Sequence, residues 1–210
     1  SEFSNIDNSN SNLVFVSEME FDGMFGFETI STQLLKKFGS ESMLSAYEKR
    51  KGDLPSPGQN VESFQIAKKF SQKFEILAIE IIANSNGICD LSVGHPSSTS
   101  SLSRSFSAYA VKDIGKHRTM IISTGKESSN DTLGKSLSSL WNCSESIKND
   151  GFAILVGECN LGIGSDAIQR FIDGRLNLDS LKKPSQYIND MENLLYLTET
   201  QKKFQIGLLS

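Results

Sequence analysis

The sequence predicts an α/β protein: a mostly parallel sheet with helices on both faces in the C-terminal half, preceded by a smaller α+β segment with a β-hairpin. Three observations predict it. Short apolar runs at 119–123, 152–156 and 206–209 alternate with stretches of helical periodicity, the pattern of parallel strands joined by crossover helices. Asn84-Ser85-Asn86-Gly87 separates two strand-like runs and reads as a hairpin turn, because Asn-Gly tolerates the positive φ such turns need. Glycine-bearing loops follow the first two apolar runs and lead into helices. At 210 residues the chain can hold one large domain or two small ones, and the pattern divides it into a partial N-terminal lobe at 1–115 and a C-terminal α/β lobe at 116–210.

In chain order, Leu13-Val14-Phe15-Val16 is β-rich and opens the first strand, followed by a loop punctuated by Gly23 and Gly26. Ile30, Leu34, Leu35 and Phe38 recur at helical spacing and Gly39 closes that helix, with a second helix expected over 41–51. Gly52-Asp53-Leu54-Pro55-Ser56-Pro57-Gly58 forces an extended loop. Val61, Phe64, Ala67 and Phe70 outline an amphipathic helix; 74–83 and 88–93 are the hairpin strands. A Ser-rich helix is expected over 98–114, with Leu102, Phe106, Tyr109 and Ala110 on one face. The run at 119–123 lacks alternation and predicts a central strand buried on both faces. Helices over 131–147, 165–172 and 185–203 complete the pattern, and Trp141 joins Leu133, Leu137 and Leu140 on an apolar core face. The strand at 206–209 ends the chain with nothing after it to cover its face, so a longer parent protein is expected.

Composition narrows the function. Hydrophobic residues at 38% and charged residues at 22% are globular proportions. A net charge of −4, with no basic run longer than Lys49-Arg50-Lys51, speaks against nucleic acid as a partner. The longest apolar stretch, near 76–83, is interrupted by Glu80 and too short to span a bilayer, so no membrane partner is expected. Cys89, Cys143 and Cys159 are odd in number and widely spaced, which predicts buried free thiols in a cytoplasmic protein rather than a zinc site or disulfides. A homodimer is compatible with all of this.

The chemistry is expected at two loops. Gly157-Glu158-Cys159-Asn160-Leu161-Gly162-Ile163-Gly164-Ser165-Asp166 follows a strand and opens a helix, where backbone amides and the helix N-terminus suit a carboxylate or phosphate. Its glycines fall as G-x-x-x-x-G-x-G, which is not the dinucleotide fingerprint. The other reading is that Gly162 and Gly164 only make a tight turn and that Glu158 bonds the loop itself. The second loop, Ser123-Thr124-Gly125-Lys126-Glu127-Ser128-Ser129-Asn130-Asp131, ends the preceding strand. In open α/β sheets ligands bind at the carboxyl ends of strands, so both loops would point to one crevice. Gly125, Lys126, Asn130, Asp131, Lys135, Glu158, Gly162, Gly164 and Ser165 are the candidate ligand-binding residues for a small anionic metabolite, Asn130 or Asp131 doubling as a helix cap. Leu133-Gly134-Lys135-Ser136 lacks the earlier glycine of a P-loop and lies inside a helix. His95 reads as a turn or capping residue and His117 as exposed, leaving no Ser/His/Asp or Cys/His set and no assigned catalytic residue.

At these same residues the chain resembles the nickel-dependent lactate racemase family, as the carboxyl-terminal portion of an archaeal-type relative. The resemblance rests on Ile121-Ile122-Ser123-Thr124-Gly125, Asn130-Asp131-Thr132-Leu133, 148–156 and above all Gly157-Glu158-Cys159-Asn160-Leu161-Gly162-Ile163-Gly164; 52–58 and 84–94 match more loosely. It implies two α/β lobes with the active site between them, racemising or epimerising 2-hydroxy acids through a nickel-pincer nucleotide held on a lysine, with histidines moving the proton. Those histidines, that lysine and most nickel contacts would precede this chain, so no cofactor or metal is expected in it, and alone it would be inactive. The family's Gln and, three residues on, Lys stand here as Lys135 and Ser138. A non-catalytic α/β module that binds a small anionic metabolite, or a structural domain, would fit the loops without the family's reaction.

Overall fold

The computed structural model describes residues 13–50, 54–125 and 131–210. Its elements, in order, are β1 (Val14–Glu18), α1 (Ile30–Phe38), α2 (Ser40–Glu48), α3 (Glu62–Ser71), β2 (Leu77–Asn84), β3 (Gly87–Gly94), α4 (Leu102–Tyr109), β4 (His117–Ser123), α5 (Leu133–Cys143), β5 (Ile147–Val156), α6 (Asp166–Ile172), α7 (Met191–Thr200) and β6 (Gln205–Leu209). They form two three-stranded sheets, β1-β2-β3 and β4-β5-β6. In the first, β1 runs parallel to β2 and β2 antiparallel to β3; in the second, all strands are parallel. The fold class is the one expected: a parallel sheet flanked by helices, preceded by an α+β segment with a hairpin.

Local chemistry explains the boundaries. Thr29 and Thr32 form a reciprocal capping box at the start of α1, and Gly39 ends it by donating to the Leu35 carbonyl. Gly87 closes the hairpin at φ +114, a backbone open to few residues without strain. His95 caps a short 3₁₀ helix (Pro96–Ser101) with its ring, whose other nitrogen meets the Phe74 carbonyl at 2.9 Å. The Ser-rich helix is therefore shorter than expected: α4 ends at Tyr109, and 110–116 run on without helix. Its buried contacts are Leu102 and Phe106 alone; Tyr109 points to water.

One core runs through both halves, from Met19, Phe25 and Phe27 past Phe64 and Ile82 to Leu140, Leu155, Leu194 and Tyr196. Trp141 packs edge-on to Tyr196, as expected of a core residue. The layering departs from the sequence expectation in one respect. β4 is an edge strand, and its burial alternates: Ile122 is buried while Ile121 is 72% exposed. α5 packs on β4 and β5 from the side of Ile122, Ala153 and Leu155. The three cysteines are free but only half-buried.

Candidate functional site

The loops after β4 and β5 share the carboxyl rim of the parallel sheet, since Ser123 pairs with Val156 and the Thr124 amide donates to the Val156 carbonyl at 3.1 Å. There they are joined to each other. Leu161 N–H donates to the Asp131 carbonyl (2.8 Å), Leu133 N–H to Gly162 (3.0 Å) and Gly134 N–H to Ile163 (2.9 Å). Thr132 caps α5 by accepting from the Lys135 amide. The first amides of α5 are thus satisfied within the protein rather than left facing an anion. Glycine makes this contact close: Gly164 sits at φ +60, and a Cβ there would stand 2.4–2.5 Å from the Thr132 side chain.

The other candidates are placed as follows. Gly125 lies at φ +78, with no atom of the described residues within 4 Å of where its Cβ would stand. Asp131 and Lys135 form an exposed ion pair at 3.5 Å. Glu158 is exposed and accepts from the Asn160 side-chain amide at 3.0 Å. Gly162 turns at φ +80, and Ser165 is buried, capping α6 through the Ile168 amide. Lys126 and Asn130 lie outside the described residues. Every described candidate falls at the carboxyl rim.

Behind that rim lies a group the sequence did not reveal. Asp190 caps α7 in the left-handed region at φ +67, with its Oδ2 near where a Gly134 Cβ would stand. The Asn193 amide donates to Asp190 Oδ1 and accepts from the Trp141 indole at 2.6 Å. Tyr187 donates to Glu192 Oε2 at 2.9 Å. From the N-terminal half, Lys36 reaches Asp22 Oδ2 at 2.5 Å and Glu28 Oε2 at 3.2 Å, while Asp22 Oδ1 accepts from the Met24 and Phe25 amides. Burial first, then the charge of Asp190, pushes the Glu192 carboxyl up to about 7. Burial likewise pushes Asp190 up to about 6, against hydrogen bonds from Ser165 and Asn193 that favour its charged form. Burial pulls Lys36 down, but Asp22, then Glu28 and Glu192, hold it above the ordinary lysine range, so it stays charged. A buried carboxyl group held near neutrality in the field of a fixed ammonium can take up and release a proton as pH changes. The available signal was Asp190 with Glu192 two residues on, a helix start hidden by expecting the helix from 185.

A second feature occupies the opposite, amino rim. A cleft of about 660 Å³ opens between α2, the start of α3 and the end of α7. Lys49, Arg50, Lys202 and Lys203 line it with Glu62 and Glu199, over a floor that includes Met24 and Tyr196. Arg50 stacks on Tyr47 at 4.9 Å and Tyr196 at 5.5 Å and pairs with Glu199 at 3.8 Å. Burial pushes the Tyr47 phenol up to about 12 and Tyr196 higher, so both rings are neutral. None of the described sequence candidates lines this cleft.

Among solved structures, the lactate racemase apoprotein from Thermoanaerobacterium thermosaccharolyticum shares this architecture, with a TM-score of 0.72 at 14% identity. The two share a fold. The match covers 95% of this chain and 51% of that one, so the chain spans about half the length of the racemase. No family model and no curated protein matches the sequence. Among the described residues no three His, Cys, Asp or Glu side chains converge as a metal site, and the ring of His117 is tied to the Ile114 carbonyl as that of His95 is to Phe74. No helix among the described residues is long and apolar enough to cross a membrane.

Proposed function

We propose that this chain is the carboxyl-terminal part of a racemase- or epimerase-like protein acting on a small 2-hydroxy acid, to which it contributes residues of the substrate cleft. The observation that supports it most is a fold likeness running through nearly the whole chain but only half of a lactate racemase. The nickel-pincer nucleotide, the lysine that carries it and the proton-moving histidines would then come from polypeptide outside this chain. What this chain offers is anchorage: Lys135 at the start of α5 for the substrate carboxylate, on the same carboxyl rim as Gly125. Glu192 and Asp190, behind the same rim, keep carboxyl groups near their titration point.

Calorimetric titration with D-lactate, L-lactate and glycolate tests this. Saturable binding is expected for at least one, and Lys135→Ala is expected to weaken it about five- to tenfold, the loss of one exposed charge from a carboxylate contact. Absence of saturable heat with all three overturns the assignment. The replacement of the family's Gln and Lys by Lys135 and Ser138 favours a second reading, a non-catalytic module that binds a small anionic metabolite. The two part on turnover. Interconversion of lactate enantiomers by a polypeptide carrying this chain as its carboxyl-terminal part supports the enzyme; binding without interconversion supports the module.

A further inference from the structure

We propose that the amino-rim cleft is a binding site for a small organic phosphate, a phosphate monoester with an apolar body. It does not rest on the hydroxy-acid assignment, because the described carboxyl-rim candidates take no part in lining it. Size is the first argument. At about 660 Å³ the cleft lies within the usual range for small-molecule sites, and a three-carbon hydroxy acid would leave most of it empty.

Charge is the second. Among the described residues four cations and two anions line the cleft, a surplus of two positive charges in a chain whose net charge is −4. A phosphate monoester carries roughly −1.5 to −2 at neutral pH and matches that surplus; a monocarboxylate does not. Arg50 is the anchor. Its side chain is only 11% exposed, held by Tyr47, Tyr196 and Glu199, so its fork is already oriented before a ligand arrives. Lys202 and Lys203 follow α7 on the rim, and Lys49, paired with Glu62 at 3.1 Å, stands across from them. Leu54 and Val61, both partly exposed, offer an apolar surface to the rest of the molecule.

Phenyl phosphate, inorganic phosphate and phenylacetate serve as probes for calorimetry on the full chain. Phenyl phosphate is expected to bind about tenfold more tightly than phenylacetate, which has an apolar body but one charge, and more tightly than inorganic phosphate, which has the charge but no body. Its affinity is expected to fall as salt rises. The double charge reversal Lys202→Glu with Lys203→Glu is expected to lower it by at least about tenfold while leaving lactate binding unchanged. Both side chains are exposed, so the fold should tolerate the change; Lys49→Gln supplies an independent rim variant, with a smaller loss expected. Equal affinity for phenyl phosphate and phenylacetate, no binding of phenyl phosphate, or affinity indifferent to the charge reversal each overturns the site.

Discussion

Glu192 holds its carboxyl group away from water, beside Asp190, with Lys36 and Asp22 facing it from the other half of the molecule and Tyr187 donating to it. Its folded value of about 7 lies above the ordinary 4.5, so the folded state keeps a proton that the unfolded chain has already lost. The stability this contributes is complete below the ordinary value and disappears as pH rises through about 7. Glu192→Gln carries a permanent neutral mimic and is expected to flatten that part of the profile. Thermal midpoints measured from pH ~5 to ~8 should therefore fall more steeply for the wild type than for the variant, and parallel curves would show that Glu192 does not titrate in this window. Gly164 tests a different kind of constraint. At φ +60, with Thr132 side-chain atoms 2.4–2.5 Å from where a methyl group would stand, Gly164→Ala meets both backbone strain and a collision. A loss of more than about 2 kcal/mol in urea unfolding is expected. A near-neutral result would mean that the two rim loops separate easily, and that their amides could after all turn toward a ligand.

At the scale of elements, what was legible in the sequence was what short-range chemistry decides. The α1 periodicity ending at Gly39, the Asn-Gly hairpin and the capped start of α6 at Ser165 all follow from residues within one turn of each other, and all are present. Helix ends set by distant contacts were not legible. α4 stops at Tyr109 because only Leu102 and Phe106 find core to bury against, although the residues beyond carry a compatible pattern. α7 begins at Met191 rather than at 185 because Asp190 adopts left-handed backbone and anchors Asn193. β4 shows the same limit for strands. Met120-Ile121-Ile122 is apolar throughout, yet the strand occupies a sheet edge and buries only one side. An unalternating run says that both faces are apolar, not that both are covered. The site follows this division as well. Loop glycines were visible as turn chemistry, whereas Lys36, Asp22, Tyr187, Asp190 and Glu192 come together only when the two halves pack, and no local spacing announces them.

Across the whole molecule, the two sheets each turn one apolar side inward and another outward. In the first sheet Val16, Ile79 and Val93 make a row across three strands, and Ile81 with Leu91 makes the next. Val16 is 64% exposed and Val93 57%. In the second sheet Ile121 pairs with Ile154, and Val156 with Leu209, on the side away from α5. Contiguous exposed faces of this kind drive association, and a net charge of −4 supplies little repulsion to oppose it. The chain is therefore expected to self-associate as its concentration rises, seen as a growing weight-average mass in sedimentation velocity. Placing a charge at each end of that row, with Val16→Lys and Val93→Lys together, is expected to shift the onset to higher concentration. Because both side chains already stand in water, the change should leave the thermal midpoint within about 1 kcal/mol equivalent of the wild type. Charged substitutions that leave the concentration dependence untouched would move the cause to the second sheet, where Ile121→Lys is the matching variant. A wild-type mass constant over the whole range would mean that these sheet faces, apolar as they are, do not attract one another in water.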